Sequence, residues 1–306
     1  MSSAATRPRA GAPSSPAASL WRASPLTRSI GAFNARHAYG SIQEGDPRAC
    51  EGWQAFESLA GSAHRDAVVG RIARDTSAPV GVAATYTFRY ALATPLQFAG
   101  YLFAKERRVP RLAGNVGLRD HEYLQHAALF APTAHVLPDD ELAVVPGCDV
   151  ADGEHALADA LFAEVSALTR DIIDSWSNDR LLARANAWGG IIDALASGVR
   201  LAAMHAIDAD AAWKRWDNAL AGRELPIRRR PRRFQFECDG EPGELVVRAD
   251  CCLWFTLPAA KTRGQDYCTS CYLTDDETRR ARMVAFTRSQ RQRTASAGTE
   301  ASTEGA

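Results

Sequence analysis

Apolar residues recur at steps of three and four along two central stretches: Leu157, Leu161, Val165, Leu168 and Ile172, then Leu181, Ala185, Trp188, Ile192, Leu195, Val199 and Ala202. Such spacing lays one apolar stripe along a helix, so each stretch predicts a core helix. Upstream, Trp53, Phe56, Ala60 and Ala67 also fall at helical intervals and predict a helix from Asp46 to the turn residues at 76–79. Residues 79–103 form the most apolar window. It is long enough to cross a bilayer, yet Arg89 and Gln97 lie inside it and Pro95 interrupts it. An arginine at the centre of a membrane helix costs roughly 2.5–3.5 kcal/mol, so the window predicts buried helices around Phe88 and Phe98 and no membrane span.

Beyond that window the pattern shortens. Residues 112–118, 134–137 and 142–145 are apolar pieces divided by Gly, Pro and Asp, which suits strands and turns. A shorter helix carries Trp213 and Trp216. Residues 232–237 and 245–255 flank Asp239-Gly240-Glu241-Pro242-Gly243 and predict a hairpin. A final helix is expected over 275–288, with acids in its first turn and bases towards its end. Residues 1–30 and 294–306 hold few aromatics and much Ala, Ser, Thr and Gly, a composition that predicts disorder. The whole reads as an α+β fold, a helical majority with a small β component, whose C-terminal hairpin leads into a cysteine-rich segment. The parts are a main domain over 31–245, the cysteine segment over 246–273 and the C-terminal helix over 274–293.

With 306 residues and 46% hydrophobic positions, the chain has ample material for one large core or two small ones. Its 36 basic and 36 acidic side chains cancel, which argues against a nucleic-acid-coating protein. The charge is nonetheless polarised: residues 213–294 hold 17 Lys or Arg against 11 Asp or Glu. The densest run, Arg228-Arg229-Arg230-Pro231-Arg232-Arg233, reads first as a solvated surface and second as a grip for an anionic partner. Asp193 and Arg200 fall off the apolar stripe of their helix and are expected on its exposed face. Residues 1–30 contain no apolar run of the secretory kind, so a cytoplasmic location is expected.

Hydrolase and nucleotide signatures are missing. His121-Glu122-Tyr123-Leu124-Gln125-His126 sets its histidines five apart, which on a helix turns them about 140° away from each other, whereas a zinc-protease helix needs them four apart. No Gly-x-Ser-x-Gly, Gly-x-x-x-x-Gly-Lys or Gly-x-Gly-x-x-Gly sequence occurs.

Of seven cysteines, four cluster: Cys251 and Cys252, then fifteen residues, then Cys268 and Cys271. Two close pairs supply the four ligands of a metal centre. A zinc ribbon takes each pair as Cys-x-x-Cys, whereas adjacent cysteines in an extended segment point to opposite faces. That fits a wider two-iron centre better than one tetrahedral ion, with zinc or bare thiols as the alternatives.

The residues Arg248-Ala249-Asp250-Cys251-Cys252-Leu253-Trp254-Phe255, Leu257-Pro258 and Tyr267-Cys268-Thr269-Ser270-Cys271-Tyr272-Leu273 resemble the C-terminal signature of the FhuF-type ferric-siderophore reductases. Upstream, Ala187-Trp188-Gly189 is similar to that family's central helix. The gap between pairs is longer than the family's usual one, through Lys261, Thr262, Arg263, Gly264, Gln265 and Asp266, and Tyr272 stands where many members have Pro. The resemblance implies a [2Fe-2S] cluster held by Cys251, Cys252, Cys268 and Cys271, with Arg248, Lys261 and Arg263 as cluster-rim or substrate contacts. It implies an oxidoreductase that passes one electron to a ferric siderophore, for instance of the hydroxamate type, and releases ferrous iron in the cytoplasm. No nucleophile or general base is needed. The electron would come from an external donor such as a ferredoxin or a flavin reductase, and neither nucleic acid nor membrane is implied. Two other readings stand beside it: a zinc-stapled binding module without catalysis, and an iron–sulfur redox sensor.

Overall fold

The computed structural model describes residues 25–37, 40–45, 52–119, 124, 126–206, 208–262 and 267–303. Helix α1 (Pro25–Asn34) and strand β1 (Ser41–Glu44) open it. Strand β2 (Trp53–Ala55) and a 3-10 turn (Phe56–Ala60) lead into α2 (Ser62–Thr76) and α3 (Val80–Glu106). Short strands follow: β3 (Val109–Pro110), β4 (Val116–Arg119), β5 (His126–Leu129), β6 (Ala134–Val136) and β7 (Asp149–Val150). Next come the helices α4 (Gly153–Asn178), α5 (Arg184–Ala203) and α6 (Ala209–Leu220). The C-terminal part consists of the hairpin β8 (Arg232–Cys238) and β9 (Glu241–Val247), the single-turn helix α7 (Pro258–Thr262) and the long helix α8 (Asp276–Thr303). This is the α+β fold with helical majority that the hydrophobic pattern predicts.

The most extensive helix pair is α3 with α5. Its closeness rests on glycine: a Cβ on Gly100 would collide with the Leu195 carbonyl, and one on Gly198 with the Gln97 carbonyl. The two backbones therefore touch, and Leu92, Leu96, Leu195 and Val199 are completely buried. A four-stranded sheet, ordered β1-β5-β4-β2, and a three-stranded one, β3-β6-β7, accompany the helices. Glu164 of α4 ties helix to strands, accepting the N–H groups of Leu112 and Ala113 at 2.8 and 3.1 Å and contacting Arg111 and His135. The hairpin packs on α8 through a separate cluster of Phe234, Phe236, Cys238 and Val247 with Met283 and Val284.

Several elements differ from expectation. The helix foreseen from Asp46 begins only at Ser62, because Trp53–Ala55 pair with β4 and Phe56 and Leu59 bury themselves from a single turn. The helical spacing joins residues of three elements, a strand, a 3-10 turn and a helix; 46–51 lie outside the described residues. The apolar window is one helix, since Pro95 forgoes one backbone hydrogen bond while packing against α5 carries the helix through. No helix among the described residues is long and apolar enough to cross a membrane. Residues 142–145 fall on a 3-10 turn (Glu141–Val144), where Asp140 accepts the Leu142 N–H, and not on a strand. Strand β9 starts at Glu241, because Asp239 and Gly240, both at positive φ, complete a two-residue turn, and stops at Val247, after which the Arg248 N–H bonds the Ser270 carbonyl and not a strand. Helix α1 begins inside the stretch expected to be disordered, with 1–24 outside the described residues, and α8 continues to Thr303.

Candidate metal centre

The chain leaves β9 and crosses the face of α5. The Arg248 N–H donates to the Ser270 carbonyl at 2.9 Å, joining the two cysteine segments. The Ala249 N–H donates to Asp193 Oδ1 at 2.6 Å. Asp250 lies directly on Gly189, where any Cβ would clash with it. Helix α5 thus fixes the approach to Cys251 and Cys252. Leu253 then takes a left-handed backbone, φ 60°, and its N–H donates to Cys251 Sγ at 3.3 Å.

The second pair sits on a tight turn. The Cys271 N–H donates to the Cys268 carbonyl at 2.9 Å, and Thr274 Oγ1 donates to the same carbonyl at 3.0 Å. From α8, Arg279 is 1% exposed and donates to the carbonyls of Thr269 and Cys271 at 3.1 and 2.9 Å. Arg282 donates to the Tyr267 carbonyl at 2.6 Å. Two arginines of one helix therefore hold the backbone of the Cys-x-x-Cys turn.

The fold brings the four thiols together. Cys252 Sγ and Cys268 Sγ are 3.8 Å apart, and Cys271 meets both Cys251 and Cys268. Four clustered thiols cannot all ionise unaided, and the set divides. Contact with Cys271 and the Leu253 N–H brings Cys251 down to about 7, against the effect of burial. Cys268, hydrogen-bonded by Cys252 and Cys271, is also lowered. Cys252 and Cys271 are raised, first by their thiol partners and then by burial. A bound metal removes this conflict, because a coordinating thiol is deprotonated outright. Two sulfurs about 2.3 Å from one tetrahedral ion stand roughly 3.8 Å apart, which is the Cys252–Cys268 spacing. Among the described residues no group of three or more His, Cys, Asp or Glu is already arranged to hold a metal ion. The donor set fits a metal centre by its chemistry, four thiols with two already inclined to ionise.

Charge is organised beneath the first pair. Burial works against the Arg248 charge, but Cys252, Cys268 and Asp193 outweigh it and raise its pKa. Arg89 of α3 reaches Asp193 at 3.2 Å and Asp250 at 3.4 Å. Burial raises the Asp193 carboxyl in spite of Arg89 and Arg248. Arg89, Asp193 and Arg248 line a cleft of about 130 Å³ between α3 and α5 together with Tyr86, Gln97 and Cys252. Arg89 Nε is buried there without a hydrogen-bond partner, and the Tyr86 hydroxyl is buried beside Cys252.

Cys251, Cys252, Cys268, Cys271 and Arg248 thus lie together. Lys261 is exposed on α7, and Arg263 lies outside the described residues, as do Cys50 and His121. Cys238 caps the turn end of the hairpin, six residues or about 20 Å of strand from the Val247 end, where its Sγ faces the Val284 carbonyl. The sequence misplaced Asp193 on an exposed face: it is 5% exposed and belongs to the site. Arg200, half-buried, reaches the Glu244 carbonyl. Arg89 had left a signal, since a charge inside an apolar helix demands a buried partner. Arg279 left none, being one of many arginines on a polar helix.

No family model, curated protein or solved structure matches this chain. The reductase signature therefore stands as a resemblance carried by the residues of the cysteine segment.

Proposed function

We propose that this chain is a cytoplasmic ferric-siderophore reductase that holds a [2Fe-2S] cluster through Cys251, Cys252, Cys268 and Cys271. The observation that carries this reading is the convergence of two cysteine pairs from separate segments, with Cys252 and Cys268 3.8 Å apart beside Arg248. Bound there, the cluster supplies a one-electron couple. Arg248 offsets the negative charge that four thiolates bring and favours the reduced state. Asp193 and Asp250 hold Arg89 in place, and Asp193, by accepting the Ala249 N–H, holds the backbone that presents the first pair.

A ferric ion that gains one electron becomes ferrous, and hard oxygen ligands retain it far less tightly. Pockets that enclose small molecules measure roughly 300–1,000 Å³, so the cleft of about 130 Å³ admits one arm of a chelate at most. The siderophore, of the hydroxamate type for instance, would meet the rim from outside. The chain shows no Gly-rich dinucleotide turn, so a separate donor such as a ferredoxin or a flavin reductase is required.

Anaerobic purification with iron, sulfide and zinc analysis and EPR tests the assignment. Iron and acid-labile sulfide in equal amounts, with ferrous release from a ferric hydroxamate after chemical reduction, are expected. Stoichiometric zinc in a colourless protein would turn the reading to the zinc-stapled module.

A further inference from the structure

The arginine run is divided by the fold. Arg232 pairs with Asp276, and Arg233 with Asp210 and Glu244, so these two are committed to holding the hairpin against its neighbours. Arg228, Arg229 and Arg230 are exposed, and no carboxylate among the described residues pairs with them. They line a groove of about 450 Å³ with Arg223, Leu225 and Ile227, where Glu224 is the acid. At the start of α8, Asp275 accepts the Thr278 N–H and Asp276 holds Arg232 and Arg279, so neither acid is offered to Arg228, Arg229 or Arg230.

This basic surface is joined to the metal centre. The Arg229 guanidinium stands 4.1 Å from the centroid of the Tyr272 ring, and Tyr272 follows Cys271 directly in the chain. Leu273, next along, is 47% exposed. Arginine, tyrosine and an exposed aliphatic side chain are the mixture that protein interfaces favour.

We propose that Arg228, Arg229 and Arg230, with Tyr272 and Leu273, form the docking surface for an acidic one-electron carrier protein of the ferredoxin kind. The proposal rests on the [2Fe-2S] reading and names where the donor meets the chain. Docking makes and breaks no covalent bond; the carrier gives up one electron and this chain takes up one at its Cys271 side. Charge complementarity accelerates and orients such an encounter, and salt weakens it. A nucleic acid is a poorer occupant, because about three phosphate contacts release few counterions and sustain little affinity.

The test uses the full chain as purified and an oxidised acidic [2Fe-2S] ferredoxin as the probe, with Kd measured by calorimetry at low and at physiological ionic strength. The triple variant Arg228→Gln, Arg229→Gln, Arg230→Gln should raise Kd about tenfold at low salt, and less at physiological salt. Its metal content, melting temperature and rate of reduction by dithionite should match the parent's. An unchanged Kd would overturn the docking surface, and so would tighter binding of a short single-stranded oligonucleotide than of ferredoxin, lost in the triple variant. Metal analysis of the same sample separates the two ideas: zinc would remove the cluster reading, whereas iron and sulfide with an unchanged Kd would remove the docking surface alone.

Discussion

A carboxylate with 5% of its surface exposed, set between Ile192 and Ala194, is costly unless its oxygens are occupied. Asp193 meets that condition through Ala249 and Arg89. Asp193→Asn keeps the volume but removes the charge facing two guanidiniums, and breaking a buried pair in this way should cost about 3 kcal/mol. Denaturant unfolding measures it; a variant as stable as the parent would show the pair to be dispensable. At the thiols the expectation is sharper. Under the proposed cluster reading, single Ser substitutions at Cys251, Cys252, Cys268 or Cys271 should bleach the visible spectrum and lower bound iron, while Cys148→Ser and Cys238→Ser keep both. Loss in Cys238→Ser with a dispensable member of the quartet would refute the ligand set. The quartet was legible because ligand spacing is a property of nearby residues. Asp193 was not, because its partners come from a helix about a hundred residues earlier and a loop more than fifty later.

Elements were legible in proportion to their length. α4 and α5 were plain because five or more apolar residues repeat along each, whereas the two- to four-residue strands present too few positions to show a period. The start of α2 was missed for the same reason. The glycine seam between α3 and α5 gives no periodic signal at all, yet it sets the distance between the helices. Gly198→Ala should destabilise by about 1–3 kcal/mol through overpacking. Gly31→Ala, where a Cβ meets nothing within 4 Å, should stabilise α1 by about 0.5–1 kcal/mol; parallel melting curves compare them. α4 carries a pH-dependent tie. Burial pushes the Glu164 carboxyl up, but His135, the Leu112 and Ala113 N–H groups and Arg111 outweigh it and bring it down to about 2. A depressed carboxyl contributes stability above its unfolded value near 4.5 and loses it as pH falls towards 2. The contribution is about 3 kcal/mol, so Glu164→Gln should be less stable at neutral pH and lack that stretch of acid sensitivity. Parallel acid titrations that superimpose would count against it.

At the scale of the molecule, two bodies of unequal self-sufficiency share the chain. The main core runs from α1 through α6 and closes without the cysteines, whereas the hairpin and α8 share a small cluster of their own. The segment between them is held by backbone hydrogen bonds, Arg279 and the thiols, and by Leu257, with Leu253 and Trp254, packed on the main core. Stripping metal under reducing conditions should therefore leave helical circular dichroism nearly unchanged while exposing residues 250–275 to protease, since a metal site contributes folding energy locally. First cuts within α4 or α5 would show that the metal supports the whole fold. The same seam that binds α3 to α5 has a kinetic consequence. Arg89 and Asp193 are mounted on helices whose backbones touch and are paired with each other, which under the proposed reading limits their rearrangement when a charge arrives beside Cys252. Fixed dipoles that need not rearrange add little to the energy a medium must spend following an electron. Under the proposed reading, α3 and α5 give the centre a low reorganisation energy, and transfer would then be governed by distance and driving force more than by motion of the protein.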